Sequence, residues 1–299
     1  MMDDGRLLIS DGGGKTNPEV SLLFHLESET NYHPALAMPL TFYKKPGLVV
    51  YVTCGDPNLA TTREIILAAI AAGADVIELG VPFSDPVADG PVIQRASERA
   101  LKHGTSLAQV VTLAAEVRQH AQSTGLIVFS YLNPILRMGM EKFCKVARAA
   151  GVDGALVTDL PVEEAGEYLR AMRAYDLAPV FLAAPTSPDE RLKRIADASW
   201  GFVYAVSRTG VTGAGQQPAE DARKLVRRLR RFTKLPLALG FGISTAEQFA
   251  EAGEFADAVV VGSAIVETVE RNRGREAAAV GEFVRGLTAL SGQPSAMAR

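Results

Sequence analysis

Glu78 is the residue in this sequence best placed to move a proton. It interrupts the apolar run Asp75-Val76-Ile77-Glu78-Leu79-Gly80-Val81, in which strand alternation puts Val76, Glu78 and Gly80 on one face. If that face looks into the barrel mouth, the carboxyl group is desolvated, so its pKa rises and it can donate and accept a proton near neutrality. The competing reading is a buried ion pair with an Arg or Lys of a neighbouring strand. Gly80, beside the carboxyl group, would leave space for a ligand. The following loop, Pro82-Phe83-Ser84-Asp85-Pro86-Val87-Ala88-Asp89-Gly90-Pro91, adds two carboxylates in a frame stiffened by three prolines. Either one aspartate faces the pocket as a second polar anchor, or both are turn residues in water. A divalent cation on Asp85 and Asp89 would lack its remaining oxygen ligands nearby, so no metal is expected.

Late in the chain, small residues gather at strand ends. Ser207-Arg208-Thr209-Gly210-Val211-Thr212-Gly213-Ala214-Gly215 suits a lid. Gly240-Phe241-Gly242-Ile243-Ser244 and Gly262-Ser263-Ala264-Ile265-Val266 let a ligand approach the main chain, and the second turns into a helix. Backbone N–H groups at such a helix start bind phosphate, with the Ser263 hydroxyl as an added donor. Plain turn chemistry is the alternative, but glycine at three successive strand ends points to phosphate. The histidines His25, His33, His103 and His120 show neither metal nor nucleophile–base spacing. Cys54 and Trp200 read as core residues.

These residues need a scaffold, and the hydrophobic pattern supplies one. Eight β-rich runs recur: Leu48–Cys54, Asp75–Val81, Leu126–Leu132, Gly154–Asp159, Ala178–Ala183, Gly201–Val206, Pro236–Gly240 and Asp257–Val261. Each reads as a strand buried on both faces. Between them lie helical patterns with charged outer faces, such as Glu163–Tyr175 and Pro188–Ala198, the latter with Ser187 as N-cap and Pro188 in the first turn. Eight strand–helix units in about 250 residues make an α/β protein with a single-domain (β/α)8 TIM barrel, whose chemistry sits at the C-terminal strand ends. A doubly wound sheet is disfavoured because no Gly-x-Gly-x-x-Gly follows the first strand. The barrel is expected over residues 38–290, with a flexible extension at 1–37 and a flexible tail at 291–299. Met38 is a candidate natural start; the alternative is a genuine but disordered N-terminal arm.

With 31 Lys+Arg against 34 Asp+Glu the net charge is −3, unlike a nucleic-acid binder. The basic run from Arg223 to Arg231 is interleaved with Leu225, Val226 and Leu229 at helical spacing, and reads as the solvated face of an outer helix. No membrane span or signal peptide is recognisable, and two cysteines suit a reducing compartment, so a cytoplasmic protein is expected.

The stretch Glu78–Pro86 continuing through Ala88-Asp89-Gly90-Pro91 closely resembles the tryptophan synthase alpha chain family. So do Ser207–Gly213, Gly240–Ser244 and Gly262–Val266, all in the family's order across about residues 46–290. The resemblance implies a lyase of tryptophan biosynthesis that cleaves indole-3-glycerol phosphate to indole and glyceraldehyde 3-phosphate by a retro-aldol reaction, without a cofactor in this chain. It implies that Glu78 is the general acid/base and that Asp89 holds the indole N–H. Thr212 would meet Asp89 on lid closure, and Tyr204 would border Glu78. Gly213, Phe241, Gly242, Gly262 and Ser263 match the phosphate and adjacent positions, while Tyr51, Phe129 and Tyr131 would line the indole site. A beta chain carrying pyridoxal phosphate is the implied partner, in a heterotetramer of two alpha and two beta chains, met through Pro82–Pro91 and Asn133–Gly139.

Three departures stand out. Tyr51 replaces the Phe of the best-known members, and Phe129 replaces Leu. The N-terminal helix that often precedes the first strand is not recognisable, so the barrel bottom is expected to close differently. Rival readings are a stand-alone lyase that releases indole, another phosphate-binding barrel of the same pathway, and a non-catalytic subunit that only activates a beta chain.

Overall fold

Strands made of Val, Ile and Leu need cover on both faces, and a ring of helices around a closed parallel sheet provides it. The computed structural model has this architecture and describes residues 40, 42–206, 217–240 and 242–289. The expected extension at 1–37 and tail at 291–299 lie outside the described residues. In chain order the elements are β1 (Gly47–Thr53), α1 (Leu59–Ala71), β2 (Val76–Gly80), α2 (Pro91–Lys102), α3 (Leu107–His120), β3 (Gly125–Ser130), α4 (Leu132–Met138), α5 (Met140–Ala149), β4 (Gly154–Val157), α6 (Gly166–Ala174), β5 (Ala178–Val180), β6 (Leu182–Ala183), α7 (Asp189–Ala198), β7 (Val203–Val206), α8 (Gln217–Leu229), β8 (Leu237–Gly240), α9 (Ala246–Gly253), β9 (Ala258–Val261), α10 (Ser263–Arg271) and α11 (Glu276–Thr288). All pairings are parallel, and β1 bonds both β2 and β9.

The fifth expected strand is broken into β5 and β6. Pro179 has no N–H to give to the strand beside it. The carbonyls of Pro179 and Phe181 accept the amides of Trp200 and Tyr204. Acceptors two residues apart thus meet donors four residues apart, and Gly201 takes up the slack at φ +83°. Trp200 itself is 41% exposed rather than core; Phe202 is the fully buried aromatic here.

Three aspartates set the register at the foot of the barrel. Asp75, Asp153 and Asp257 each accept the backbone N–H of the preceding strand, from Leu48, Leu126 and Leu237, all at 2.8 Å. Asp153 is also held by Arg118 at 2.7 Å. Helix starts are capped as their sequences allow: Asn58 accepts Thr61 N–H, and Ser106/Gln109 and Thr245/Gln248 form capping boxes. α7 begins one residue later than expected. Pro188 is itself the N-cap, with ψ 160°, and the Ser187 hydroxyl turns back to the Ala184 N–H. α6 starts at Gly166 rather than Glu163, after turns at 162–165.

Inside the barrel, Val49, Val76, Ile127, Leu156, Val180, Phe202, Ala238 and Val260 form an apolar layer. Leu40, 4% exposed, packs into this cluster from below with Phe42, whose ring meets Phe202 at 5.8 Å. A Cβ at Gly125 or Gly201 would strike the Leu40 side chain. Leu40 and Phe42 therefore close the bottom of the barrel. α8 buries Ala222, Leu225, Val226 and Leu229, and its arginines pair with acids, Arg223 with Glu254 and Arg228 with Asp189 among them. Leu40→Ala should cost about 2–5 kcal/mol of unfolding free energy, as for other buried leucines; urea denaturation checks this, and a loss under about 1 kcal/mol would deny the plug.

Candidate active site

One step up each strand from the apolar layer, the inward positions change character. Period-two alternation places Tyr51 above Val49, Glu78 above Val76, Phe129 above Ile127, Tyr204 above Phe202, Gly240 above Ala238 and Gly262 above Val260. Tyr51 and Glu78 are register partners on β1 and β2. Four separate strands thus bring polar and aromatic groups to the mouth of the barrel, and two more end there in glycine.

Glu78 is fully buried, and neither carboxylate oxygen has a hydrogen-bond partner among the described residues. No described arginine or lysine pairs with it, so the ion-pair reading has no support there. Burial alone pushes its pKa from 4.5 up to about 8. The space beside it is not left open by Gly80 as the sequence suggested. A Cβ on Gly80 would collide with the Tyr51 ring, and one on Gly240 with the Tyr204 ring. Both glycines make room for tyrosines, which wall the carboxyl group in. Tyr51 meets Phe129 edge-on at 5.1 Å, and its hydroxyl accepts a long hydrogen bond from Thr53 at 3.5 Å. Both phenols are raised well above their ordinary value, chiefly by burial and further by the negative groups nearby, with Glu78 and Asp89 acting on each.

Of the two loop aspartates, Asp89 is the one turned to the site. Asp85 is exposed and accepts from the adjacent Ser84 hydroxyl. Asp89 is half-buried; the Tyr131 hydroxyl donates to its Oδ2 at 3.2 Å and accepts the Ala88 N–H at 2.9 Å. Burial raises the Asp89 pKa to about 6, and the Tyr131 hydrogen bond restrains the rise. The loop is gripped from both sides. Gln94 of α2 donates to the Asp89 carbonyl at 2.9 Å, and Phe83 stacks on Tyr131 at 4.8 Å. Phe83 and Thr53 are site residues that sequence reasoning missed; Thr53 shared the inward alternation of Tyr51, which was the available signal.

At the far side, Gly262 precedes α10 without a side-chain cap. The Ile265 and Val266 amides bond back to the Gly262 carbonyl; the first-turn N–H groups before them have no intrahelical acceptor. Gly262 lies beside Tyr51, and Gly242 has φ +54°. Ser263 and Gly242 are exposed at the mouth. Thr212, Gly213 and Phe241 lie outside the described residues. Asn133–Gly139 is largely the helix α4 rather than a loop, begun at Tyr131 as N-cap. Among the described residues, no group of three or more His, Cys, Asp or Glu is placed to hold a metal, and no helix is long and apolar enough to cross a membrane.

The sequence model of the tryptophan synthase alpha chain family matches residues 40–290. The chain is 51% identical over 228 residues to the tryptophan synthase alpha chain of Solibacter usitatus, covering 76% of this chain and 85% of that one. With the Neisseria meningitidis alpha chain it shares 45% over 241 residues, covering 81% and 92%. Among solved structures, a chain of the Pyrococcus furiosus tryptophan synthase complex superposes with a TM-score of 0.76 at 39% identity, covering 83% of this chain and all of that one.

The environment of Glu78 has a consequence for stability. The folded protein keeps this proton up to about pH 8, while an unfolded chain releases it near 4.5. Wild-type stability should therefore decline as pH rises through that window, and Glu78→Gln should be spared. The variant's advantage should grow to the order of a few kcal/mol by about pH 8. Urea titrations at several pH values check this; parallel pH dependence in both proteins would contradict it.

Proposed function

The chain belongs to the tryptophan synthase alpha chain family, and from that premise we propose how its residues divide the family's reaction. That reaction is the cleavage of indole-3-glycerol phosphate, and the protein is a carbon–carbon lyase. The observation that carries the assignment is the fully buried carboxyl group of Glu78, which has no hydrogen-bond partner among the described residues and a pKa near 8. At neutral pH it holds a proton that it can deliver to indole C3. Its carboxylate then takes the proton of the side-chain hydroxyl next to the breaking bond. The electron pair of that bond returns to the indole ring, an aldehyde forms, and Glu78 ends as it began.

Asp89, with its pKa near 6, is mostly ionised at neutrality. It accepts the indole N–H and stabilises the positive charge that develops on the ring when C3 is protonated. Tyr131 orients Asp89 through its hydroxyl. Tyr51, Phe129 and Tyr204 wall the indole pocket and keep water from Glu78. The start of α10 at Gly262 and Ser263, with Gly242, seats the phosphate on backbone N–H groups. By the sequence match alone, Gly213 and Phe241 complete that seat, and Thr212 meets Asp89 when the lid closes.

The partner in this reading is a beta chain, in a complex of two alpha and two beta chains. The matched Pyrococcus furiosus structure is of a tryptophan synthase complex. Two exposed apolar side chains mark the contact surface, Val87 at 86% and Leu136 at 55%. They lie in Pro82–Pro91 and Asn133–Gly139, which Tyr131 joins. Pyridoxal phosphate belongs to the beta chain, and this chain works without a cofactor. The working unit is the barrel of residues 38–290, acting in the cytoplasm.

Indole release from indole-3-glycerol phosphate, with and without a beta chain, tests these roles. Glu78→Gln should lose about 10²–10⁴-fold in kcat, the usual contribution of a general acid/base, and a beta chain should stimulate the wild type. Full activity in Glu78→Gln would overturn the acid/base role, and no wild-type release under either condition would leave a binding subunit.

A further inference from the structure

Asp56 lies just past the C-terminal end of β1 and is 2% exposed. Arg99 of α2 grips it with two parallel bonds, Nε to Oδ1 at 2.9 Å and Nη2 to Oδ2 at 2.7 Å. The remaining nitrogen, Nη1, reaches Glu270 Oε1 at 2.8 Å, on the last turn of α10. Arg95, one turn earlier on α2, also holds Glu270, at 3.0 Å. Arg273, just beyond α10, adds a 3.3 Å bond to Asp56. One guanidinium thus joins the β1 loop, its own helix and α10.

Those elements carry opposite ends of the site. α2 begins at Pro91, directly after Asp89 and Gly90, and α10 begins directly after Gly262. An acid in the last turn of a helix opposes the helix dipole, so Glu270 is not there for the helix's own sake. A buried aspartate likewise requires a partner. Only arginine offers a planar fork for one carboxylate and a further donor for another; lysine does not.

We propose that Arg99 is a positioning residue for the cleavage reaction: through Asp56 and Glu270 it fixes the distance between Asp89 at the indole end and the backbone amides at Gly262–Ser263. This rests on the reading of those amides as the phosphate seat. Substrate spans both ends, so a shift of α10 against α2 weakens the phosphate grip while the proton-transfer groups stay in place.

Glu270→Gln is the informative variant. It replaces the ion pairs of α10 with Arg95 and Arg99 by at most a neutral hydrogen bond, leaves Asp56 paired and removes an acid from a helix C-terminus, so it should melt close to wild type. Arg99→Ala would instead strip a buried carboxylate of its main partner and cost folding. In Glu270→Gln, the Kd of glycerol 3-phosphate and the KM for indole-3-glycerol phosphate should rise about three- to tenfold, kcat should change less, and binding of free indole should be unchanged. Wild-type Kd and KM in this variant would overturn the proposal, as would equal losses for indole and glycerol 3-phosphate. Gly262→Val separates the two readings, because a Cβ there meets only ordinary contacts with Tyr51, at 3.5 Å and beyond. If Gly262→Val abolishes glycerol 3-phosphate binding while Glu270→Gln is neutral, the seat stands and the positioning role fails. If Gly262→Val binds normally, the seat is elsewhere and both fail.

Discussion

A carboxyl group enclosed in a barrel without a partner is costly when charged, and the barrel around Glu78 is built to keep it neutral. Below it lies an apolar layer sealed by Leu40 and Phe42. Beside it, Tyr51 and Tyr204 occupy the volumes that Gly80 and Gly240 leave free. Described side chains offer its oxygens no hydrogen bond, so burial acts on the pKa without relief. The stability given up at this position is the source of a proton available near neutrality.

The same environment makes two carboxylates unequal. Asp89 stands on a loop, is less buried and has the Tyr131 hydroxyl as a donor, so its pKa rises to about 6 while that of Glu78 reaches about 8. Between those values one group holds a proton and the other is a hydrogen-bond acceptor. In the proposed roles, that difference is what protonation of an indole ring at C3 would need: an acid facing the carbon and a negative charge facing the ring nitrogen. In the proposed reaction the aromatic walls would supply the dry pocket, and the uncapped start of α10 would supply donors for an anion on the opposite side. The division of labour follows from burial and hydrogen bonding at named residues, with the barrel setting only their places.

Much of this was legible in the sequence because it depends on local periodicity. Alternation within Asp75–Val81 put Glu78 on one face with Val76 and Gly80, and the runs of β-branched residues marked the strands to within a residue or two at most ends. Where the sequence misled, long-range packing decided. Gly80 was read as space for a ligand, yet the space is filled from a neighbouring strand by Tyr51. Trp200 was read as core, but the register slip at Gly201 leaves it exposed and turns Phe202 inward. Pro179 has no N–H to offer the seventh strand, a signal visible in the sequence, but the break itself falls at Phe181, within the register slip. The Arg99 network joins residues 43 and 171 positions apart, and no spacing rule reaches that far. Asp75, Asp153 and Asp257 are intermediate: each precedes a strand in plain view, but its acceptor role appears only once the neighbouring strand is in place.

The protonation state of Glu78 can be observed directly by infrared difference spectroscopy between wild type and Glu78→Gln over a pH series. A protonated carboxyl stretch assigned to Glu78 should be present at about pH 6 and fade around pH 8, where its folded pKa lies. A carboxylate signal from Glu78 already dominant at about pH 6 would show that water or another charge reaches it, and the basis for its acid/base role would be gone.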